Sequence, residues 1–258
     1  MERQSVRARL TRELSQMVAI AIKDMRVYYL APPMIMFGLL MPFFMFFSFS
    51  VRRGLPAEQS LARLIAITTF FTASSAGPVI LPMERRTRTF ERMLVAPVSV
   101  LSVLLGETMV GTVFGSVISL LTVLLAALAI GLRVGDAPGL LLAVILASAS
   151  FSAMGVLFAS WPTSSATPVG SIMMPSTLVR WPLMFISGVF VPLEQMSPLL
   201  RALSYLSPLT YAQDLMNHTL LLQGSQSLAL DWAVLVASGV AFLAVTSWFH
   251  RIQRRRGY

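Results

Sequence analysis

The chain has 258 residues, of which 56% are hydrophobic and 12% are charged, and its formal net charge is +9. One soluble core could not bury so much apolar surface, so the composition predicts an integral membrane protein. Because most basic residues stand in short segments beside apolar runs, their charge is expected to set membrane orientation, and no nucleic-acid partner is predicted. The absence of cysteine excludes a disulfide framework, a thiolate metal site and a cysteine nucleophile.

Uncharged runs long enough to cross a bilayer recur along the chain. A hydrocarbon core about 30 Å thick takes about 20 apolar residues in a helix, because lipid offers the backbone no hydrogen-bond partner. The turn-forming segment WPTSSATP, residues 161–168, divides one long uncharged stretch into two spans. We therefore predict an all-α integral membrane protein, a single domain over residues 1–258, with transmembrane helices at residues 30–51, 61–81, 103–132, 139–160, 168–191 and 228–249.

The distribution of Lys and Arg predicts the orientation of these six spans. Six spans place both termini on one side, and basic residues in short flanking segments are retained in the cytoplasm. Of the 20 Lys and Arg residues, 14 flank the termini or lie between spans two and three. Both termini are therefore predicted to be cytoplasmic in a multi-pass protein of the plasma (inner) membrane, with residues 1–29 forming an amphipathic interfacial helix.

The loop between spans two and three, residues 82–98, gathers six charged side chains into the nine positions from Glu84 to Arg92. Pro82 near its start and Pro97 beyond its end suit a short helix. Phe90 and Leu94 share one face of that helix. Two explanations stay open: a solvated loop that only sets orientation, or a coupling helix that contacts a partner protein.

The outer segment, residues 192–227, is apolar but is interrupted at Ser207 and Pro208, so neither half is long enough to span. Ser197 before Pro198 suits the N-cap and first position of a short helix. Leucines at positions 199, 203 and 206 share one face of it. The segment is predicted to form a helical hairpin, which either lies at the membrane interface or is re-entrant and caps a pathway.

Two features inside the spans are informative. Arg180 lies between Pro175 and Pro182 in span five, and an Arg at mid-membrane costs at least about 2.5–3.5 kcal/mol, so it normally faces a cavity or a partner. A functional role competes here with a structural ion pair or with snorkelling to the interface. Gly111 and Gly115 form G-x-x-x-G in span three, which predicts close helix packing within one protomer.

The sequence gives little support to an enzyme. Only two histidines occur, His218 and His250, and the spans contain no paired carboxylates that could act as acid and base. The chain also lacks the G-x-x-x-x-G-K-[ST] loop that holds ATP. A non-catalytic protein is therefore expected, whose energy comes from another polypeptide. A secondary transporter is the alternative, although such proteins usually bury several ionisable residues and often show a duplicated half.

Three stretches resemble a known family. The order Glu84, Thr89, Glu91, Met93, Leu94, Pro97 is similar to the pattern E-x-x-x-G-T-x-E-x-L-L-x-T-P of permease subunits of type-2 ABC transporters. Residues 182–214 resemble the same family's signature SGVFxPLxxLP followed by NPLTY, and residues 23–44 resemble its basic entry helix. The closest likeness is to daunorubicin-resistance permeases. Arg88 and Ala96 depart from the pattern, where the family usually has Gly and often has Thr.

The resemblance implies a permease that pairs with a second permease subunit, as a homodimer or heterodimer, and with two separate ABC ATPase subunits. The permease itself would also contact membrane lipids. ATP and Mg²⁺ would be bound by those ATPases, and no cofactor, metal or catalytic residue is expected in this chain. It further implies export, and the Phe- and Met-rich spans favour a hydrophobic drug or lipid-like substrate over a polysaccharide or glycolipid, which stays the alternative. The residues implied in ATPase coupling are Glu84, Arg85, Arg88, Phe90, Glu91, Arg92, Leu94 and Pro97. Those implied in the substrate pathway or gate are Phe70, Phe71, Arg180, Trp181, Phe185, Phe190, Pro192 and Tyr211.

Overall fold

A computed structural model describes residues 2–29, 32–36, 40, 44, 57–86, 99–131, 134–160 and 168–255, without the side chains of some residues near helix ends. Within these ranges the chain is helical and contains no strand, which confirms the predicted all-α class. The α-helices are α1 (Glu2–Tyr28), α2 (Pro32–Ile35), α3 (Ala57–Arg86), α4 (Val100–Ile130), α5 (Ala137–Ala159), α6 (Pro168–Ile186), α7 (Pro198–Ser204), α8 (Pro208–Leu221) and α9 (Leu228–Arg255). A 3₁₀ turn at Leu193–Gln195 precedes α7.

Four of the described helices are long and apolar enough to cross a membrane. Their apolar segments are Ser60–Glu84, Val100–Leu128, Ala137–Ala159 and Leu228–Ile252. The predicted span at residues 30–51 lies mostly outside the described residues. Helix α6 has 19 residues and carries two internal prolines with Arg180 between them, so its role as a span stays a prediction.

Helix α3 is the centre of the bundle. In the most apolar segment of α3, 94% of the residues are buried. In the most apolar segment of α9, which lies at the periphery, 11% are buried. The close packing predicted for the G-x-x-x-G pair is confirmed. A Cβ on Gly111 would lie 2.2 Å from Ser152 Oγ of α5 and 2.6 Å from the Ala73 carbonyl oxygen of α3. The absence of a side chain at Gly111 therefore lets α4 pack closely against both helices.

The bundle has two ends with different partners. At one, called here the α1 end, α1 meets the last turns of α3 and the start of α4, and His250 of α9 lies 3.1 Å from Ser160 after α5. At the other, the α8 end, the backbone N–H of Asp136 donates to Thr219 O at 2.8 Å, and Arg63 near the start of α3 donates to Val189 O. The predicted cytoplasmic segments are therefore at the α1 end and the predicted outer segment at the α8 end.

The predicted hairpin agrees with the structure in its local details. Helices α7 and α8 are separated at residues 205–207, and Ser197 Oγ accepts a hydrogen bond from Leu200 N at 3.5 Å, which confirms the N-cap. Leu199 in α7 is 70% exposed and Leu206 just after it is 75% exposed, so α7 and the turn that follows it present uncovered apolar side chains. Whether the hairpin is re-entrant stays a prediction.

Two boundaries differ from the prediction. Helix α6 ends at Ile186, five residues before residue 191, where span five was predicted to end. Helix α3 continues without interruption through Pro82 to Arg86, so residues 82–86 extend span two instead of beginning a separate loop helix. Pro82 removes one backbone hydrogen bond, but Ile80 and Leu81 are fully buried and hold this last part of the helix against its neighbours.

Candidate transport and coupling site

Arg180 is the most deeply buried cation among the described residues, with a relative exposure of 1%. Its Nη1 donates to Ser75 Oγ at 2.9 Å and Ser74 Oγ at 3.3 Å, both on α3. Its Nη2 donates to Ser176 Oγ at 3.2 Å and Thr177 Oγ1 at 3.4 Å, one turn earlier on α6. We call these four residues with Arg180 the hydroxyl cage, and the cage links α3 to α6.

The hydroxyls of the cage are oriented by the helices that carry them. Ser74 and Ser75 each donate to the carbonyl four residues earlier, those of Phe70 and Phe71, at 2.6 Å. Since their protons are used in this way, their lone pairs are left to accept from the guanidinium. The sequence TASS in α3 therefore supplies acceptors for a buried cation without a carboxylate.

Neither alternative for Arg180 matches the structure. Among the described residues no Asp or Glu lies within ion-pair distance of it, and a side chain with 1% exposure does not snorkel to the surface. The Phe71 ring adds a cation–π contact, with Arg180 Cζ 5.6 Å from the ring centroid. The positive charge is thus stabilised by hydroxyl dipoles and a ring face.

Three predicted pathway residues form an aromatic row beside the cage. The ring centroids of Trp181 and Phe185 are 6.0 Å apart, and those of Phe185 and Phe190 are 5.3 Å apart. Phe185 is 40% exposed and Phe190 is 6% exposed. The row therefore runs from the outer face of α6 into the segment that follows it.

The other predicted pathway residues lie in different places. Phe70 and Phe71 are buried in the core, where Phe70 packs edge-on against Phe151 at 5.0 Å. Tyr211 is buried in α8, and its hydroxyl donates to Tyr205 O at 3.0 Å. Pro192 lines a cavity of about 370 Å³ at the α8 end. In this conformation the two phenylalanines contact protein, and their role in transport stays a prediction.

The coupling residues are described only at the start of their segment. Glu84 is fully buried at the end of α3 and forms an ion pair with Lys23 of α1. Lys23 Nζ also lies 2.9 Å from Asp24 Oδ1. The side chain of Arg85 is not described, and Arg88, Phe90, Glu91, Arg92, Leu94 and Pro97 lie outside the described residues.

Burial and the nearby Glu84 carboxylate together raise the pKa of Asp24 to about 7. Asp24 is fully buried, and it shares Lys23 with Glu84. Among the described residues, Lys23 is the cation that faces these two buried carboxyl groups where α1 crosses the end of α3. The protonation of Asp24 is sensitive to changes near neutral pH.

The residues that sequence reasoning did not single out are those that complete both arrangements: Ser74, Ser75, Ser176 and Thr177 around Arg180, and Lys23 and Asp24 beside Glu84. One signal was present in the sequence. Five of the eight residues in TTFFTASS, 68–75, carry hydroxyls in the middle of an apolar span, and polar side chains at that depth mark interhelical contacts.

A sequence model of the family described as "ABC-2 type transporter" matches residues 15–221. A comparison with curated proteins found no match. The matched region includes the Lys23–Glu84 ion pair, the hydroxyl cage and the aromatic row.

Proposed function

Because this chain belongs to the ABC-2 type transporter family and is its membrane permease component, we propose that it exports a hydrophobic drug or lipid-like substrate across the plasma membrane. Separate ATPase subunits supply the energy. Membership disfavours the secondary transporter that the sequence left open, since members of this family act within ABC transporters.

The ion pair between Lys23 and Glu84 is the observation that carries the coupling proposal. It joins α1 to the end of α3, just before residues 87–98, so the two segments proposed to contact the ATPases are connected within the permease. Helix α1 is also packed tightly on α4, because a Cβ on Gly106 would lie 3.0 Å from the Ile20 side chain and 3.1 Å from Met17 O. A displacement of either segment reaches the bundle core directly.

From there the contacts lead to the aromatic row. Helix α3 is buried along its length and is tied to α6 through Ser74, Ser75 and Arg180. Helix α6 carries Trp181 and Phe185. ATP-driven movement at the α1 end is therefore proposed to pass through α3 and the hydroxyl cage to the row that faces the substrate.

The outer face of α6 supports an apolar substrate and a second permease subunit. Met174 and Leu178 are 71% and 67% exposed, and they share α6 with the partly exposed Phe185. A second permease facing this surface would enclose an apolar pathway between the two subunits. Two ATPase subunits would then act on one pair of permeases, with both termini in the cytoplasm; single-cysteine labelling in this cysteine-free chain tests that topology.

A polysaccharide or glycolipid substrate is the second candidate. The partly exposed Trp181–Phe185 pair could stack on sugar rings as well as on drugs. Transport of labelled lipid, a hydrophobic dye and an oligosaccharide by the complex reconstituted in vesicles separates the two. Transport of the oligosaccharide alone would overturn the apolar assignment.

The coupling proposal is tested by comparing two kinds of change. Phe90→Ala with Leu94→Ala removes two side chains worth about 1.5–3 kcal/mol each when fully buried, but leaves the loop arginines that set topology. Lys23→Gln and Glu84→Gln, singly and together, remove the internal ion pair. The matched control is Glu194→Gln, an exposed carboxylate at the α8 end.

The expected readouts are bound ATPase per permease and transport per ATP hydrolysed in the purified complex. The Phe90 and Leu94 double variant is expected to lose ATPase association or coupling with unchanged insertion. The ion-pair variants are expected to keep bound ATPase but lower transport per ATP. Unchanged stoichiometry and coupling in the double variant would assign the loop to orientation only.

A further inference from the structure

A second group of charged side chains lies at the α8 end, away from the residues given a role above. Asp214 and His218 are one turn apart on α8, and Asp231 is in the first turn of α9. His218 Nε2 lies 3.8 Å from Asp214 Oδ2 and 3.8 Å from Asp231 Oδ2. One ligating atom of each residue lies within 4.8 Å of the others.

Three oxygen atoms lie near His218 Nε2, which can carry only one proton. Its Nε2 is also 3.0 Å from the Gln226 carbonyl oxygen, which can only accept, so in the neutral ring Nε2 carries the proton. One N–H therefore faces three oxygens. It can donate well to one of them, the carbonyl, and the two carboxylates are left at the longer distance.

The two carboxylates differ in how they are satisfied. Asp214 accepts from the backbone N–H groups of Ser225 at 2.8 Å and Gln226 at 2.7 Å, and from the Ser225 hydroxyl at 3.0 Å. Asp231 is fully buried, and neither of its oxygens accepts a hydrogen bond from any residue that the structure describes. A buried carboxylate without donors is costly unless a cation compensates it, and Asp231 points to the same atom of His218 as Asp214 does.

We propose that Asp214, His218 and Asp231 bind one divalent cation of the Zn²⁺ class. Zinc bonds of about 2.0–2.2 Å put tetrahedral ligand atoms about 3.3–3.6 Å apart, so each 3.8 Å separation needs to close by about 0.2–0.5 Å. The imidazole then carries its proton on Nδ1, and the Gln226 carbonyl or a water takes the fourth position. Two carboxylates and a neutral imidazole balance the charge of the ion.

The donor set indicates which cations fit. Imidazole is a good ligand for zinc and its first-row neighbours. Ca²⁺ takes six to eight oxygen ligands and Mg²⁺ demands a near-ideal octahedron of oxygens and water, and three side chains that include a histidine do not supply either. The site is therefore expected to discriminate strongly against both ions.

The surroundings give the ion a route and a consequence. Asp214 also lines the 370 Å³ cavity, together with Asn217, Gly224 and Ser225, so an ion can enter from the α8 end. A Cβ on Gly224 would lie 1.9 Å from His218 Nε2, so a side chain at this position would displace the imidazole. The bound ion would join α8, the turn at residues 223–227 and α9, which fixes the hairpin to the last span.

The test uses the full chain, purified through a tag without histidine and stripped with a chelator. Metal content after incubation with Zn²⁺ and gel filtration is expected to be about one ion per chain. Zn²⁺ should raise the temperature of unfolding by several degrees, because a ligand that binds only the folded state stabilises it. Mg²⁺ and Ca²⁺ at the same concentration should leave it unchanged. Co²⁺ should give the visible absorption of a tetrahedral site.

Two variants and a control make the result specific. Asp231→Asn and His218→Gln are expected to lose the retained zinc and the thermal shift, whereas Glu194→Gln, which lines the same cavity, keeps both. Without metal, Asp231→Asn should unfold at or above the wild-type temperature, because it removes a buried charge, and this shows that the variant is folded. Absence of zinc retention in the wild type, equal retention in both variants, or an equal shift with Mg²⁺ would overturn the proposal.

Discussion

The hydroxyl cage makes a quantitative prediction about Arg180. Ser74→Ala with Ser75→Ala removes the two acceptors that α3 offers to the guanidinium. Among the described residues, the hydrogen-bond acceptors that remain for this buried cation are on its own helix. Arg180→Leu instead removes the cation, and the serine hydroxyls keep their bonds to Phe70 O and Phe71 O. The serine changes should therefore be costly only while Arg180 is present.

The magnitude follows from the two hydrogen bonds lost. Bonds to charged groups contribute about 1.5–3 kcal/mol each in soluble proteins, whereas interhelical hydrogen bonds in membranes average about 0.6 kcal/mol. Two bonds thus give a range of about 1–6 kcal/mol, and we expect about 2–3 kcal/mol because Ser176 and Thr177 continue to accept. In the Arg180→Leu background the same serine changes should cost less than about 0.5 kcal/mol, as ordinary tolerated substitutions do.

The assay is a double-mutant cycle on reversible unfolding in mixed micelles, with the serine pair and Arg180 as its two sites. Ser148→Ala is the matched control, because Ser148 is fully buried in α5 and its hydroxyl makes no hydrogen bond to the described part of the chain. That change is expected to be neutral or slightly stabilising.

Equal costs of the serine changes in both backgrounds would refute the cage as the reason that Arg180 is tolerated at this depth. Transport is measured on the same proteins. Arg180→Leu should fold and bind ATPase but transport poorly, because the link between α3 and α6 is lost. Normal transport by this variant would remove Arg180 from the proposed coupling path.

Two further predictions concern the rest of the bundle. Gly111→Ala should lower the free energy of unfolding by about 1–3 kcal/mol through overpacking, because the new Cβ would lie 2.2 Å from Ser152 Oγ. Gly239→Ala, whose nearest neighbour would be 3.3 Å from the new Cβ, should change it little. Equal unfolding midpoints for the two variants would contradict this. The pKa of Asp24 is raised to about 7 in the folded chain, from about 4 in the unfolded chain. Between these pH values the folded state binds more protons than the unfolded state, so the free energy of unfolding should fall as pH rises from about 4 to 7. Asp24→Asn should flatten that slope in denaturation measured across the same range, and an unchanged slope would show that another group is responsible.

The sequence predicted those features that depend on local chemistry or on periodicity. The N-cap at Ser197 follows from one hydroxyl before a proline, and the close approach at Gly111 follows from two small residues one turn apart. The helical class follows from uncharged runs, because only a helix satisfies the backbone of such a run in lipid. The end of α3 was misplaced because Pro82 signals a helix start locally, whereas burial of its neighbours continues the helix.

The partners of charged residues could not be predicted, because they are set by how distant helices pack. Arg180 was identified as unusual, but its acceptors on α3 are 105 and 106 residues away in the chain. Lys23 and Glu84 are likewise separated by 61 residues. His218 was noted only as one of two histidines, and its relation to Asp231 depends on where α9 begins after the turn at residues 223–227.

The buried charges constrain how the protomer can move. If α3 and α6 separated, Arg180 would lose Ser74 and Ser75 in a low-dielectric interior, where breaking such contacts is strongly unfavourable. We therefore expect the two helices to move together during the transport cycle. The surfaces free to change contacts are those left uncovered within a protomer, above all the face of α6 with Met174 and Leu178. If the proposed pathway lies between two permease subunits, it would open between them while each subunit moves as a nearly rigid body.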